Sequence, residues 1–118
     1  MEKLMAFVEI PAADFDRAVN FYRQVLTLEL KTVEGKLEKM AFFPGGEGAI
    51  SYAPGFNPSP DGVLVSLNAG KDMDAVLGRV SAHGGKIEKG KTKIQGEGMG
   101  YFALFIDSEG NKIGLYQA

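Results

Sequence analysis

The strongest constraint in this sequence is that one order of local patterns runs through it twice. The first apolar run, 4–10, holds the strand formers Phe7, Val8 and Ile10 and closes at Pro11, which has no N–H to give a ladder. Asp14 then precedes Phe15, Ala18, Val19, Tyr22, Val25 and Leu26, spaced three and four apart, with Asp16, Arg17, Asn20, Arg23 and Gln24 between them. A capping side chain followed by that period predicts an amphipathic helix. Three β-like runs follow at 28–33, 37–43 and 49–53, divided by Glu34-Gly35 and by the turn-rich 44–48. Segment 54–62 holds three of the five prolines, shows no apolar period and reads as a connector. Beyond it the order restarts. A strand at 63–67 precedes a helix at 72–82 with Met73, Val76, Leu77 and Val80 on one face and Gly84-Gly85 as its stop. Further β segments are expected at 86–88, 91–94, 101–106 and 112–116, with Gly90 and the 96–98 glycines as turns.

Each pass reads β-α-β-β-β, and the letters repeat with it: Ala41-Phe42-Phe43 before Glu47-Gly48 resembles Ala103-Leu104-Phe105 before Glu109-Gly110. A unit of roughly 55 to 60 residues covers a sheet face poorly alone, so two such units are expected to pack together with their sheets forming one curved surface. The sequence predicts one α+β domain over 1–118, with module one at 1–53, the connector at 54–62 and module two at 63–118. Composition narrows the function. Thirteen Lys and Arg against 15 Asp and Glu leave a net charge of −2, without the basic excess that a phosphate backbone demands, so no nucleic-acid partner is expected. No window approaches the ~18 apolar residues of a membrane span, and MEKLMAFVEI is not patterned as a signal peptide. The expectation is a cytoplasmic protein with no membrane partner. With no Cys and one His, thiol nucleophiles, disulfides and Cys- or His-rich metal centres are excluded.

The run Val8-Glu9-Ile10-Pro11-Ala12-Ala13-Asp14-Phe15-Asp16-Arg17-Ala18-Val19-Asn20-Phe21-Tyr22, with Asp107-Ser108-Glu109-Gly110-Asn111-Lys112-Ile113-Gly114-Leu115 near the end, resembles the vicinal oxygen chelate superfamily. That group takes in glyoxalase I, bleomycin-resistance proteins, fosfomycin-resistance enzymes and extradiol dioxygenases. The resemblance spans essentially the whole chain. It implies two paired β-α-β-β-β modules in a U-shaped, partly open barrel, usually dimeric, whose cavity holds a divalent metal in the enzymes. It also implies metal donors, usually His or Glu, on the first and last strand of each module. In this sequence those positions fall on Phe7, about on Ser51, on Val63 or Val65, and on Gly114, where many members read Ile-Glu-Leu. Phe, Ser, Val and Gly cannot supply the three or four O or N donors at about 2.0 to 2.5 Å that such a metal needs. No metal and no cofactor is therefore expected.

Residue by residue, alternation sets Phe7 and Glu9 on one strand face, where Glu9 could act as a base or pair with a cationic ligand. His83, next to Gly84-Gly85, reads as a helix cap. Gly96-Glu97-Gly98-Met99-Gly100 lacks the Lys-Ser/Thr of a phosphate loop and reads as a hairpin, or as a lid bringing Met99 and Tyr101 to a ligand. Arg17 and Arg23 read as solvated helix charges. The expected ligand-binding set is Phe7, Glu9, Ser51, Tyr52, Val63, Met99, Tyr101, Gly114 and Tyr116, lining an apolar and aromatic cavity. The leading expectation is a homodimer that binds a small organic molecule without metal. The alternatives are a metal-dependent lyase, isomerase or dioxygenase with a rearranged site using Glu9, a metal-free acid–base enzyme using Glu9 and a Tyr, and an interaction protein with a filled cavity.

Overall fold

In the computed structural model, which describes residues 3–118, the repeat is visible as ten elements. Met1 and Glu2, the start of module one as read from the sequence, lie outside the described residues. The first module comprises β1 (Val8–Pro11), α1 (Phe15–Leu26), β2 (Lys31–Glu34), β3 (Lys39–Phe42) and β4 (Gly48–Tyr52). The second comprises β5 (Val65–Asn68), α2 (Met73–Ala82), β6 (Lys86–Lys93), β7 (Tyr101–Ile106) and β8 (Lys112–Gln117). Each module builds a four-stranded mixed sheet, in the order β1-β4-β3-β2 or β5-β8-β7-β6, with its first and last strands parallel. A parallel neighbour needs a crossover, and the helix after β1 or β5 begins each one. The barrel is open: no ladder joins the two sheets, and β1 and β5 each keep an unpaired edge.

Both helices start where a short polar side chain replaces a missing hydrogen bond. Asp14 accepts from the Arg17 N–H and Asp72 from the Ala75 N–H, each at 3.1 Å. The apolar stripes of α1 and α2 then fill the core with Phe21, Tyr22, Val25, Met73 and Val80 against Ile50, Phe105, Ile113 and Leu115. Phe21 of α1 lies 6.1 Å, ring to ring, from Phe105 of β7, so the helix of one module packs on the sheet of the other. The helices themselves are in contact. One core thus serves both repeats, as expected for units too small to bury a sheet face alone.

Polar groups fasten the same seam. The buried Asp107 carboxylate accepts from the Tyr22 hydroxyl at 2.5 Å and from the Asn111 side chain at 3.1 Å. Glu109, its side chain only 1% exposed, accepts from the Ala13 and Asp14 N–H groups at the start of α1, from Arg17 Nε at 2.7 Å and from the Ser108 hydroxyl. Arg17 is therefore a clasp between modules and not the solvated charge expected from its helix position. Burial pushes the Glu109 carboxyl up, but hydrogen bonds from Arg17, the backbone at Asp14 and Ser108 outweigh it and leave it below its usual value. The Tyr22 hydroxyl is held well above its usual value, by burial first and by Asp107 second.

Some boundaries differ from the sequence pattern. The expected segments 86–88 and 91–94 are one strand, β6, with register shifts between Ile87 and Lys89 and between Lys89 and Thr92, so Gly90 sits in a bulged stretch and not in a turn. The apolar runs 4–10 and 63–67 begin before their strands do: β1 starts at Val8 and β5 at Val65, leaving Leu4 and Val63 about nine-tenths exposed. Among the described residues no helix is long and apolar enough to cross a membrane.

Candidate functional site

Strand register divides each sheet into a face toward the helices and an outer face. In the first sheet, Ile10, Ala41 and Ile50 share one row and belong to the core. The neighbouring rows, Glu9–Ala49–Phe42–Lys31 and Pro11–Ser51–Met40–Val33, therefore lie on the outer face. Phe7 joins them, its ring 6.1 Å from that of Phe42. Within this apolar surface the buried Ser51 hydroxyl donates to Glu9 Oε1 at 2.7 Å. That bond fixes the carboxylate while Glu9, on the edge strand, stays exposed. Among the described residues no Lys, Arg or His lies within salt-bridge distance of it.

In the second sheet Ile113, Leu115, Ala103 and Phe105 face the helices, so the outer rows are Ser66–Gly114–Leu104–Lys89 and Asn68–Tyr116–Phe102–Thr92. Gly114 is closed off by its neighbour: a Cβ there would stand 2.5 Å from Ser66 Oγ and 3.4 Å from Ser66 Cβ. The Tyr116 hydroxyl donates to the Met99 carbonyl at 3.0 Å, which ties the β6–β7 hairpin to this face. Three glycines of that hairpin, Gly96, Gly98 and Gly100, have positive φ, so the loop path depends on them. Lys112 pairs with Glu88 at 3.0 Å, and the Lys89 ammonium lies 5.9 Å from the Phe102 ring.

The structure therefore brings together part of the expected set. Phe7, Glu9 and Ser51 share the outer face of the first sheet; Gly114 and Tyr116, with Met99 at the hairpin, share that of the second. Tyr52 and Tyr101 do not join them, because alternation turns both toward the helices, where they pack on the core. Tyr52 cannot share a face with Ser51, its neighbour in the same strand. Val63 lies before β5, almost fully exposed, and Val65 faces inward; the residue opposite Gly114 is Ser66. Aligning the two modules by their strand starts also makes Ala49, and not Ser51, the counterpart of Gly114. Phe42 and Met40 were legible from alternation once Ala41 was known to face inward, whereas Ser66 required the β5–β8 register. His83 caps α2 and is exposed, as its glycine neighbours suggested.

A separate cleft of about 590 Å³ lies between the free edges of β1 and β5, lined by apolar residues including Val8, Ile10, Leu28, Phe43 and Val65. None of the nine expected ligand-binding residues lines it. Among the described residues no group of three or more His, Cys, Asp or Glu side chains stands close enough to hold a metal. The side chains at the family's donor positions do not fit one either: Phe7 is apolar, Ser51 is committed to Glu9, and Gly114 faces Ser66.

Three solved structures share this architecture. A glyoxalase/bleomycin resistance protein from Albidiferax ferrireducens T118 is 21% identical with a TM-score of 0.70, the match covering 98% of this chain and 99% of that one. A glyoxylase/bleomycin resistance protein/dioxygenase domain from Frankia sp. EAN1pec superposes with a TM-score of 0.76 at 15% identity over 100% of this chain and 99% of that one. A genomically encoded fosfomycin resistance protein from Listeria monocytogenes gives 0.70 at 16% identity, covering 100% and 92%. At these identities the likeness shows the fold alone. A comparison with curated proteins gives no match. The family model described as glyoxalase/bleomycin resistance protein/dioxygenase superfamily matches residues 4–115, nearly the whole chain. With the doubled β-α-β-β-β order and the open pair of mixed sheets, that match places the chain in the glyoxalase/bleomycin resistance protein/dioxygenase superfamily.

Proposed function

We propose that this protein binds a small organic molecule on the outer sheet face around Phe7, Phe42 and the Glu9–Ser51 pair, and does so without a metal. The observation that carries this reading is the chemistry of that face: two aromatic rings, Met40 and Val33 surround a single polar pair, the balance of apolar walls and few oriented polar groups that small-molecule sites use. A metal centre rearranged around Glu9 finds no support in the donors of one chain, since the nearest polar partner of that carboxylate is a hydroxyl.

The active unit of this proposal is a homodimer. The free edges of β1 and β5, and the exposed apolar residues leading into both, are features a second copy would cover. Native mass spectrometry of the purified protein tests all three elements together. A dimer mass, no stoichiometric divalent metal and either a retained organic adduct or uptake of added aromatic probes is the expected result. One divalent ion per chain would overturn the metal-free reading. A monomer that takes up no probe would overturn the binding reading.

A further inference from the structure

We infer that the ligand class selected by this face is an organic ammonium, with its charge on Glu9 and its hydrocarbon part on Phe7, Phe42 and Met40. The inference rests on the reading that this face takes a small molecule, and it adds the charge that the molecule must carry.

Three observations converge on it. Ser51, buried in β4, donates to Glu9 Oε1 at 2.7 Å, so the carboxylate is oriented by a group that itself cannot move far. The hydroxyl satisfies one oxygen and leaves Oε2 with lone pairs aimed away from that bond, and no cation among the described residues lies within 4.0 Å to neutralise it. Beside it stand the Phe7 and Phe42 rings, 6.1 Å apart and tilted by 55°, with Met40 in the adjoining row. Ring faces attract a cation and pack against its alkyl or aryl carbons, while a carboxylate supplies the charge-assisted hydrogen bond. A carboxylate ligand would meet repulsion at Glu9, and a neutral one would leave the anion unpaired beneath it.

The other charge in the same row is Lys31, two strands beyond Ala49. At the usual spacing of about 4.8 Å between strands it is roughly 14 Å from Glu9, too far to pair with it. It therefore leaves the Glu9 site open to an external cation.

The test compares three probes of one shape, benzylammonium, benzyl alcohol and benzoate, by titration followed through amide chemical shifts, on the wild-type protein and on Glu9→Gln. Glu9 is exposed and glutamine matches its shape, so the variant keeps the fold, and unchanged shifts away from β1 and β4 confirm that it has. The expected result is that benzylammonium binds about tenfold more tightly than benzyl alcohol, as one charge-assisted hydrogen bond predicts, that benzoate binds most weakly, and that Glu9→Gln removes the ammonium preference alone. Equal binding of ammonium and alcohol, or a preference that survives Glu9→Gln, overturns the amine selectivity while leaving a binding face. No shift at Phe7, Phe42 or Ser51 with any probe overturns the binding reading and the selectivity with it.

Discussion

Replacing Gly114 by alanine puts the geometry of the second sheet to a quantitative test. The residue is buried in β8 opposite Ser66, and its φ is not positive, so glycine is not required there by backbone conformation. What forbids a side chain is contact, because the new Cβ would stand 2.5 Å from Ser66 Oγ and 3.4 Å from Ser66 Cβ. Overpacking of this kind costs about 1 to 3 kcal/mol. Two effects oppose it. Ser66 lies on an edge strand and can turn its hydroxyl to another staggered rotamer, which places the cost at the low end. Losing glycine also narrows the unfolded ensemble, which stabilises the folded chain by about 0.4 to 1 kcal/mol. The remaining close approach of the two Cβ atoms tips the balance, and Gly114→Ala is expected to lose about 1 kcal/mol, or a few degrees in Tm. Urea unfolding of wild type, Gly114→Ala, Ser66→Ala and the double variant measures it. Ser66→Ala removes the hydroxyl and should recover most of the loss, giving a coupling of about 1 kcal/mol between neighbouring residues. A Gly114→Ala protein as stable as wild type, or two substitutions that simply add, would refute the β5–β8 packing on which the account of this face rests.

The seam between the modules yields two more expectations. Tyr22→Phe keeps the buried ring but removes the hydroxyl that donates to Asp107 at 2.5 Å, so a loss of about 2 kcal/mol is expected with an unchanged urea slope; a change below about 0.5 kcal/mol would contradict the bond's role. Because hydrogen bonds hold the Glu109 carboxyl below its usual value when folded, its stabilisation is present above the unfolded carboxyl value and drains away as pH falls through the lowered folded one. Glu109→Gln should therefore be less stable than wild type at pH 7, with a gap that closes below about pH 4; a gap constant between pH 7 and pH 3 would remove the carboxylate from the argument.

Much of the fold was legible in local sequence because its signals are local. Asp14 and Asp72 cap the helices the pattern predicted, and the stripes of α1 and α2 became the core. Strand edges were less legible: the β propensity of 4–10 and 63–67 extends beyond the residues that find a neighbour, and pairing, not propensity, sets where a strand begins.

The candidate site divides along the same line. The sequence by itself determined that Phe7 and Glu9 share a face, that Ser51 and Tyr52 lie on opposite ones, and that glycine stands where many relatives carry glutamate, since these follow from alternation and from residue identity. Tertiary structure decided the rest. Which face is outer, which residue meets Gly114, and that Ser51 reaches Glu9 all depend on the parallel registers of β1 with β4 and β5 with β8. Those registers join residues some forty to fifty positions apart in sequence, and a shift of one residue would turn each side chain to the opposite face. Arg17 shows the same limit: on its helix it is a surface charge, and only the arrival of Glu109 from the other module makes it part of the seam.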